Sequence, residues 1–174
     1  MREASARRTP ALARSGTRLA TRTPMHIQHL MTKQLVTCRP EDSLARAAQL
    51  MWEHDIGCVL VTDGEGRLVG LLTDRDACMG AYTQGLPLDR VRVSSVMAKE
   101  IWSCTPHSDS RDVETIMRRH QVRRVPVLDP MGLPVGIVTL NDLARAARGT
   151  PAAAINQREV EATLASISMP RHTA

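Results

Sequence analysis

The feature that most constrains this chain is an internal repeat. Residues 31–76 align with residues 97–142 without a gap, at a constant offset of 66 residues, and 14 of the 46 aligned positions are identical. Self-similarity at a fixed period indicates a duplicated supersecondary unit. The identical pairs are Met31/Met97, Lys33/Lys99, Cys38/Cys104, Pro40/Pro106, Met51/Met117, His54/His120, Val59/Val125, Val61/Val127, Asp63/Asp129, Gly66/Gly132, Val69/Val135, Gly70/Gly136, Thr73/Thr139 and Asp76/Asp142.

Each copy predicts the element order β-α-β-β-α. A short apolar stretch ends at a proline, a helix with apolar residues at i, i+3, i+4 and i+7 follows, and two β-branched segments flank a Gly-containing turn. The predicted strands are Leu35–Cys38, Cys58–Thr62 and Leu68–Leu72 in the first copy, and Ile101–Cys104, Val125–Leu128 and Val135–Val138 in the second. The predicted helix N-caps are Ser43, Thr73, Asp109 and Thr139. The pattern predicts an α/β (α+β) fold of two units related by a pseudo-twofold axis, with small sheets packed together and helices outside.

The predicted boundaries follow the repeat. Residues 25–82 form unit 1, residues 83–92 a linker, and residues 93–148 unit 2. Residues 1–24 are Arg-rich without apolar periodicity and are predicted to be disordered, or to precede the true start at Met25. Residues 149–174 are predicted to form a helix and tail, with Pro151 in the first turn of the helix. The apolar stripe of that helix is interpreted either as docking on the module itself or as a dimer contact; it consists of Ile155, Val160, Leu164 and Ile167.

Composition and charge narrow the function classes. Hydrophobic residues make up 43% and aromatic residues only 2%, so the core is predicted to be aliphatic. The net charge of +5 resides in residues 1–24, and the rest of the chain is neutral, which argues against nucleic-acid binding by the folded part. No apolar run is long enough to span a membrane. The cysteines lack CxxC spacing and are interpreted as reduced thiols of a cytoplasmic protein; they are Cys38, Cys58, Cys78 and Cys104.

The strand-to-helix junction carries the most specific motif, G-h-h-T-x-x-D, where h is apolar. It spans Gly70–Asp76 in the first copy and Gly136–Asp142 in the second. The glycine permits close approach of another backbone, and the threonine sits at a helix N-terminus, which favours an anion. A carboxylate one turn later can accept hydrogen bonds from a diol such as ribose. The alternative is a structural capping box.

Two adjacent arginines, Arg123 and Arg124, precede a predicted buried strand of unit 2. A guanidinium at this position is a candidate phosphate ligand, and the alternative is solvated surface charge. The equivalent pair in unit 1 is Gly57–Cys58, so the sequence predicts one strong and one weak anion subsite.

Other candidates are weaker. His54 and His120 occupy equivalent helix ends, where capping or packing is favoured over metal binding, and Trp52 and Trp102 show no stacking pattern. No catalytic triad order, paired-carboxylate site, P-loop or HExxH motif is present, so the sequence predicts a protein that is not an enzyme.

These motifs together resemble a tandem pair of CBS (cystathionine-β-synthase) domains, a Bateman module, over roughly residues 27–147. The first set comprises Met31-Thr32, Thr37-Cys38-Arg39-Pro40, Asp55-Ile56-Gly57, Asp63-Gly64-Glu65-Gly66 and Gly70–Asp76. The second comprises Val96-Met97, Ser103-Cys104-Thr105-Pro106, Val122–Val127 and Gly136-Ile137-Val138-Thr139 with Asp142.

The resemblance implies a function and assigns residues to it. CBS pairs bind adenine nucleotides or related adenosyl ligands between their units, so AMP, ADP or ATP is the expected ligand and no cofactor is required. The ribose-binding acids would be Asp76 and Asp142, and the phosphate-contacting hydroxyls Thr73 and Thr139. The segments Thr37-Cys38 and Ser103-Cys104 would line the base pocket, and Arg123 and Arg124 would lie near Thr73 and Asp76. Homodimers are common among relatives, and an unknown effector protein would receive the signal.

Three hypotheses remain open at this point. The first is a non-catalytic sensor that binds an adenosine-containing ligand and signals in trans. The second is a structural or scaffold dimer without a nucleotide, in which the motif is only a capping box. The third is a redox or metal sensor built on the four cysteines.

Overall fold

The computed structural model describes residues 24–148 and 155–170. Each copy of the repeat folds into two helices and a small sheet, so the predicted α/β fold class is confirmed. Unit 1 contains β1 (Thr37–Cys38), α1 (Leu44–Glu53), β2 (Cys58–Thr62), β3 (Leu68–Thr73) and α2 (Asp74–Gln84). Unit 2 contains α3 (Ser110–His120), β4 (Arg124–Leu128), β5 (Pro134–Thr139) and α4 (Leu140–Ala147), and α5 (Gln157–Ile167) follows it. Short 3-10 turns at Ile27–His29 and Val93–Ser95 lie at the start of the two units.

The two sheets differ by one strand. In unit 1, β1 pairs in parallel with β2, which pairs antiparallel with β3. In unit 2, β4 pairs antiparallel with β5, and the predicted strand Ile101–Cys104 is reduced to a single bridge from Cys104 to Val127. A proline explains the loss. Leu60 N–H donates to Val36 O at 3.2 Å in unit 1, whereas the counterpart of Leu60 is Pro126, which has no N–H to donate.

The hydrophobic cores cross the unit boundaries that the sequence suggests. Ile27 is fully buried in the core of unit 2, and Met31 packs against that core. Val91 and Val93 are buried in the core of unit 1, and Met97 packs against it. The segment at the start of each unit therefore packs on the other unit, which ties the two copies together. The boundaries at 25–82, 83–92 and 93–148 themselves stay predictions.

The helix α5 packs on unit 2. Ile155, Val160 and Ile167 belong to the core of that unit, while Leu164 is 48% exposed. This packing agrees with docking on the module itself. The helix begins at Gln157, where Asn156 caps it by accepting a hydrogen bond from Arg158 N–H at 2.9 Å. The prediction that the helix already includes residues 155–156 is therefore wrong, because Asn156 caps the helix and its first turn begins after that residue. Pro151 itself lies outside the described residues.

Two further predictions concern segments at the edges of the description. Residues 1–23, nearly all of the segment predicted to be disordered, lie outside the described residues, as do residues 171–174. Within residues 24–148 and 155–170, no helix has the length and apolar character needed to cross a membrane.

Candidate functional site

The junction between β3 and α2 places Thr73 and Asp76 in contact. Thr73 Oγ1 accepts from Asp76 N–H at 3.2 Å, and Asp76 Oδ2 accepts from Thr73 N–H at 3.0 Å and from the Thr73 hydroxyl at 2.7 Å. The two residues therefore form the capping box that the sequence offered as the structural alternative. Within the described part of the chain, Oδ1 of Asp76 has no hydrogen-bond partner, and the residue is half-buried. One carboxylate oxygen thus remains open for a ligand.

The equivalent junction in unit 2 is more closed. Thr139 and Asp142 form the same capping box, with Asp142 Oδ2 accepting at 2.8 Å and 2.7 Å. In addition, Arg145 Nη2 donates to Asp142 Oδ1, and Asp142 is only 6% exposed. Both carboxylate oxygens of Asp142 therefore accept hydrogen bonds from the protein, whereas only Oδ2 of Asp76 does so.

Arg124 reaches from unit 2 into unit 1. It is half-buried at the start of β4, where it pairs with Thr139 of β5. A Cβ placed on Gly57 would lie 2.8 Å from Arg124 Nη2 and 3.4 Å from Asp74 Oδ2. The guanidinium therefore occupies the space that Gly57 leaves, beside the first residue of α2. The neighbouring Arg123 is exposed.

Cys58 lies in the electrostatic field of the same two side chains. Burial raises the pKa of the Cys58 thiol, the positive charge of Arg124 lowers it, and the negative charge of Asp74 raises it. The charges of Arg124 and Asp74 are thus close enough to act on the same thiol. The sequence analysis did not single out Gly57, Asp74 or Arg145, although Gly57 lies in the Asp55-Ile56-Gly57 motif and Asp74 directly follows Thr73. The approach of Arg124 to Gly57 and Asp74 joins the two units and leaves no trace in a local pattern, whereas the i, i+3 spacing of Asp142 and Arg145 is a local signal that could have been found.

Of the segments predicted to line a base pocket, Thr37-Cys38 is the edge strand β1, and Ser103-Cys104 contacts β4 through a single bridge at Cys104. Thr37 and Ser103 are exposed, whereas Cys38 and Cys104 are 4% and 8% exposed and belong to the two separate cores. Burial, together with the nearby Asp42, raises the pKa of Cys38 to about 11. Burial, together with Asp112, raises the pKa of Cys104 to about 11. Both thiols are therefore protonated near neutral pH, and their side chains serve the cores.

The motif glycines permit a close approach of both a backbone and a side chain. A Cβ on Gly70 would collide with the Sδ atom of Met97, and a Cβ on Gly136 would collide with the Sδ atom of Met31. The expectation of a second backbone at this point is confirmed, because the residue after each glycine exchanges two backbone hydrogen bonds with the residue after that methionine. These glycines serve the contact between units.

Two other expectations concern rings and metals. Trp102 stacks on His120, with ring centroids 3.4 Å apart and an interplanar angle of 14°, a contact that the sequence analysis missed. Among residues 24–148 and 155–170, no group of three or more His, Cys, Asp or Glu side chains is arranged to hold a metal ion. The four cysteines are free thiols.

Comparison with known proteins places the chain in a family. The sequence model of the CBS domain matches twice, at residues 27–79 and 93–149. The CBS domain-containing protein YhcV of Bacillus subtilis (strain 168) is 39% identical over 118 residues, which cover 68% of this chain and 82% of that protein.

Two solved structures are similar over nearly their whole length. The crystal structure of Hypoxic Response Protein I with two coordinated zinc ions has a TM-score of 0.63 and 32% identity, covering 70% of this chain and 98% of that one. The CBS domain pair of protein MJ0100, in complex with 5-methylthioadenosine and S-adenosyl-L-methionine, has a TM-score of 0.65, covers 71% and 95% of the two chains, and shares the fold at 24% identity. The repeat, the matching fold and these relatives agree, and the chain belongs to the CBS domain family as a tandem CBS pair.

Proposed function

We propose that this CBS pair is a non-catalytic regulatory module that binds an adenosine-containing ligand, AMP, ADP or ATP, and signals in trans to an effector protein. The dominant site lies at the N-terminus of α2, built from Thr73 and Asp76 of unit 1 and Arg124 of unit 2. The observation that carries the proposal is the position of the Arg124 guanidinium, which crosses the unit boundary to reach Gly57 and Asp74.

The ribose would bind at Asp76. The capping box uses Oδ2 of this carboxylate and leaves Oδ1 open. A carboxylate oxygen accepts hydrogen bonds from the hydroxyls of a cis-diol. The box also holds the side chain in one orientation, so little conformational entropy is lost on binding.

The phosphate would bind between Arg124 and the first turn of α2. The 11-residue helix α2 presents the positive end of its dipole at this point, although the N–H groups of its first three residues already donate to acceptors within the protein. Asp74 opposes the phosphate, because its carboxylate lies close to the same guanidinium. A phosphate at Arg124 is therefore repelled by the Asp74 carboxylate, which favours a ligand that also gains contacts at its ribose and base.

The equivalent position in unit 2 is proposed to be the weaker site. Asp142 already accepts a hydrogen bond from Arg145 on Oδ1 and is nearly inaccessible. The counterpart of Arg124 in unit 1 is Cys58, which carries no positive charge. The adenosyl ligands of the MJ0100 CBS pair support the ligand class, since they share the nucleoside but not the phosphate.

Calorimetric titration with AMP, ADP, ATP, NAD and S-adenosylmethionine tests the proposal. We expect heat from at least one adenine nucleotide, lost in Asp76→Ala and retained in Asp142→Ala. Since each variant removes one capping box, the matched pair separates ligand binding from helix stability. No heat from any of these ligands, together with an unchanged melting temperature, would overturn the proposal.

The second candidate is a scaffold without a nucleotide. It is favoured by one observation, namely that both capping boxes are complete within the protein. The same titrations distinguish it, because a scaffold keeps one melting temperature in every nucleotide. A homodimer and a cytoplasmic location remain parts of the proposal, and sedimentation analysis over a range of protein concentrations tests the dimer.

A further inference from the structure

Asp74, the first residue of α2, carries a carboxylate that does not serve as the helix cap. The capping box of α2 is complete without it, because Thr73 and Asp76 supply both of its side-chain hydrogen bonds. Asp74 is exposed, and its Oδ1 accepts a hydrogen bond from the N–H of Arg75 at 2.7 Å. A negative charge therefore stands at the positive end of this helix in addition to the cap.

The equivalent helix of unit 2 shows that the fold needs no acid at this position. The counterpart of Asp74 is Leu140, which is 8% exposed and belongs to the core of unit 2. The backbone contact at the junction is the same in both units. Asp74 N–H donates to Gly57 O at 3.4 Å, and Leu140 N–H donates to the counterpart of that oxygen, Arg123 O, at 3.0 Å. Since an apolar residue supports the same junction, the charge of Asp74 has another role.

The Asp74 carboxylate and the Arg124 guanidinium border the same small space. A Cβ on Gly57 would lie 3.4 Å from Asp74 Oδ2 and 2.8 Å from Arg124 Nη2. Both charges also act on the neighbouring Cys58 thiol, whose pKa is raised by burial, lowered by Arg124 and raised by Asp74. A group that binds the guanidinium is therefore subject to the negative charge of Asp74 at short range.

The other cations near this point in the chain lie farther from that space. Arg75 and Arg123 are exposed, and neither contributes any of the three atoms nearest to the position of a Cβ on Gly57, all of which belong to Arg124 and Asp74. The space is thus bordered by one cation and one anion. A substituent with several negative charges gains an attraction there and meets a repulsion of the same order.

We propose that Asp74 is a specificity-determining residue of the unit 1 site, and that it selects an adenosine ligand whose 5′ substituent carries little negative charge. The inference rests on the proposed adenosine site at Thr73, Asp76 and Arg124. Attraction to Arg124 and repulsion from Asp74 both grow with the charge of the substituent, so a second and a third phosphate add little affinity. A monophosphate, or a zwitterionic group with its anion at Arg124 and its cation at Asp74, fits this pair better than a triphosphate.

Calorimetric titration of the full chain and of Asp74→Asn tests the proposal. The ligands share adenosine and differ in the 5′ substituent: S-adenosylmethionine, methylthioadenosine, AMP and ATP, all with EDTA present so that no metal ion neutralises the phosphates. Asparagine keeps the oxygen that accepts from Arg75 N–H and removes the charge. We expect Asp74→Asn to bind ATP about tenfold and AMP about threefold more tightly, methylthioadenosine equally, and S-adenosylmethionine about threefold more weakly. These differences should shrink at high salt, because Asp74 is exposed.

The matched control is Asp89→Asn, which also removes one exposed carboxylate. Asp89 lies near the other end of unit 1, since the adjacent Leu88 O accepts from Ala45 N–H in the first turn of α1 at 3.1 Å. This variant should leave all four affinities unchanged. Asp74→Leu, which introduces the residue of unit 2, should repeat the gain for ATP, and thermal melts without ligand show whether each variant is folded.

The outcomes separate this inference from the proposed function. An equal change for all four ligands in Asp74→Asn overturns the inference, because a merely structural role of Asp74 acts on them alike. Weaker binding of ATP by the folded variant also overturns it, since the carboxylate would then assist the phosphates. Absence of binding by all four ligands in the unsubstituted chain overturns the proposed function and the inference together.

Discussion

Units 1 and 2 share a scaffold but differ in what covers and reaches them. Both have the same hairpin, the same capping box and a glycine on which a methionine from the start of the other unit packs. Unit 2 is covered by α5, and its Asp142 is buried against Arg145. Unit 1 has an open groove between α1 and α2 (the unit 1 groove), a half-buried Asp76 and the guanidinium of Arg124 at its helix N-terminus.

The difference teaches how a duplicated module can divide its roles. The capping-box residues and the motif glycines are identical in both copies, whereas Arg118 and Gln121, which contact α5, and Arg124, which reaches unit 1, differ from their counterparts in unit 1. Unit 2 supplies stability and the arginine, and unit 1 supplies the accessible surfaces. The predictions below test that division.

The largest expected effect concerns the equivalent methionines Met51 and Met117. Met117 is fully buried under α5, so Met117→Ala should lower the free energy of unfolding by about 2–5 kcal/mol. Met51 is 6% exposed and lines the unit 1 groove, so Met51→Ala should lower it by only about 1–2 kcal/mol, because its surroundings are open on one side. Urea denaturation measures both, and equal losses would contradict the division.

The second prediction concerns the adjacent arginines. Arg124→Gln should weaken binding of AMP by about tenfold, because it removes one charge-assisted hydrogen bond to the phosphate. Arg123→Gln removes the same charge from an exposed side chain and should change the affinity less than about twofold. Calorimetry on both variants measures the difference. A larger loss of AMP affinity in Arg123→Gln than in Arg124→Gln would contradict this prediction, because it would show that Arg123 contacts the phosphate.

The smallest expected difference between the two units concerns the buried cysteines, which occupy equivalent core positions. Burial raises the pKa of Cys38 and of Cys104 to about 11, from an ordinary value of 9.0. The folded state therefore favours the protonated thiols. This contribution to stability is fully present below pH 9.0 and is lost as the pH rises from 9.0 to about 11.

The free energy of unfolding, measured by urea denaturation at a series of alkaline pH values, should fall over this window. Cys38→Ala and Cys104→Ala should each flatten the pH dependence by a similar amount, since the two thiols occupy equivalent core positions. A flattening in only one variant would show that the cores are less alike than the repeat indicates.

Local signals in the sequence predicted much of the fold. The strand Cys58–Thr62 has the predicted bounds, and Ser43, Thr73, Asp109 and Thr139 cap the helices as expected. The sequence-based predictions failed where a contact with a residue distant in the chain overrode the local pattern. The strand Ile101–Cys104 shrank to a bridge because its partner position is Pro126. The candidate site was predicted only in part, since Thr73 with Asp76 are local neighbours but Gly57, Asp74 and Arg145 act through contacts that the motif does not contain.

The sequence by itself determined the duplication, the element order and the capping boxes, because each depends on residues close together in the chain or on a fixed offset. The tertiary structure decided which unit the segments around Ile27 and Val93 pack on, that Arg124 and not Arg123 reaches unit 1, and that α5 covers only unit 2. These outcomes depend on the relative placement of the two units. Hydrophobic burial, which sets that placement, is non-directional and leaves no periodic signal in the sequence.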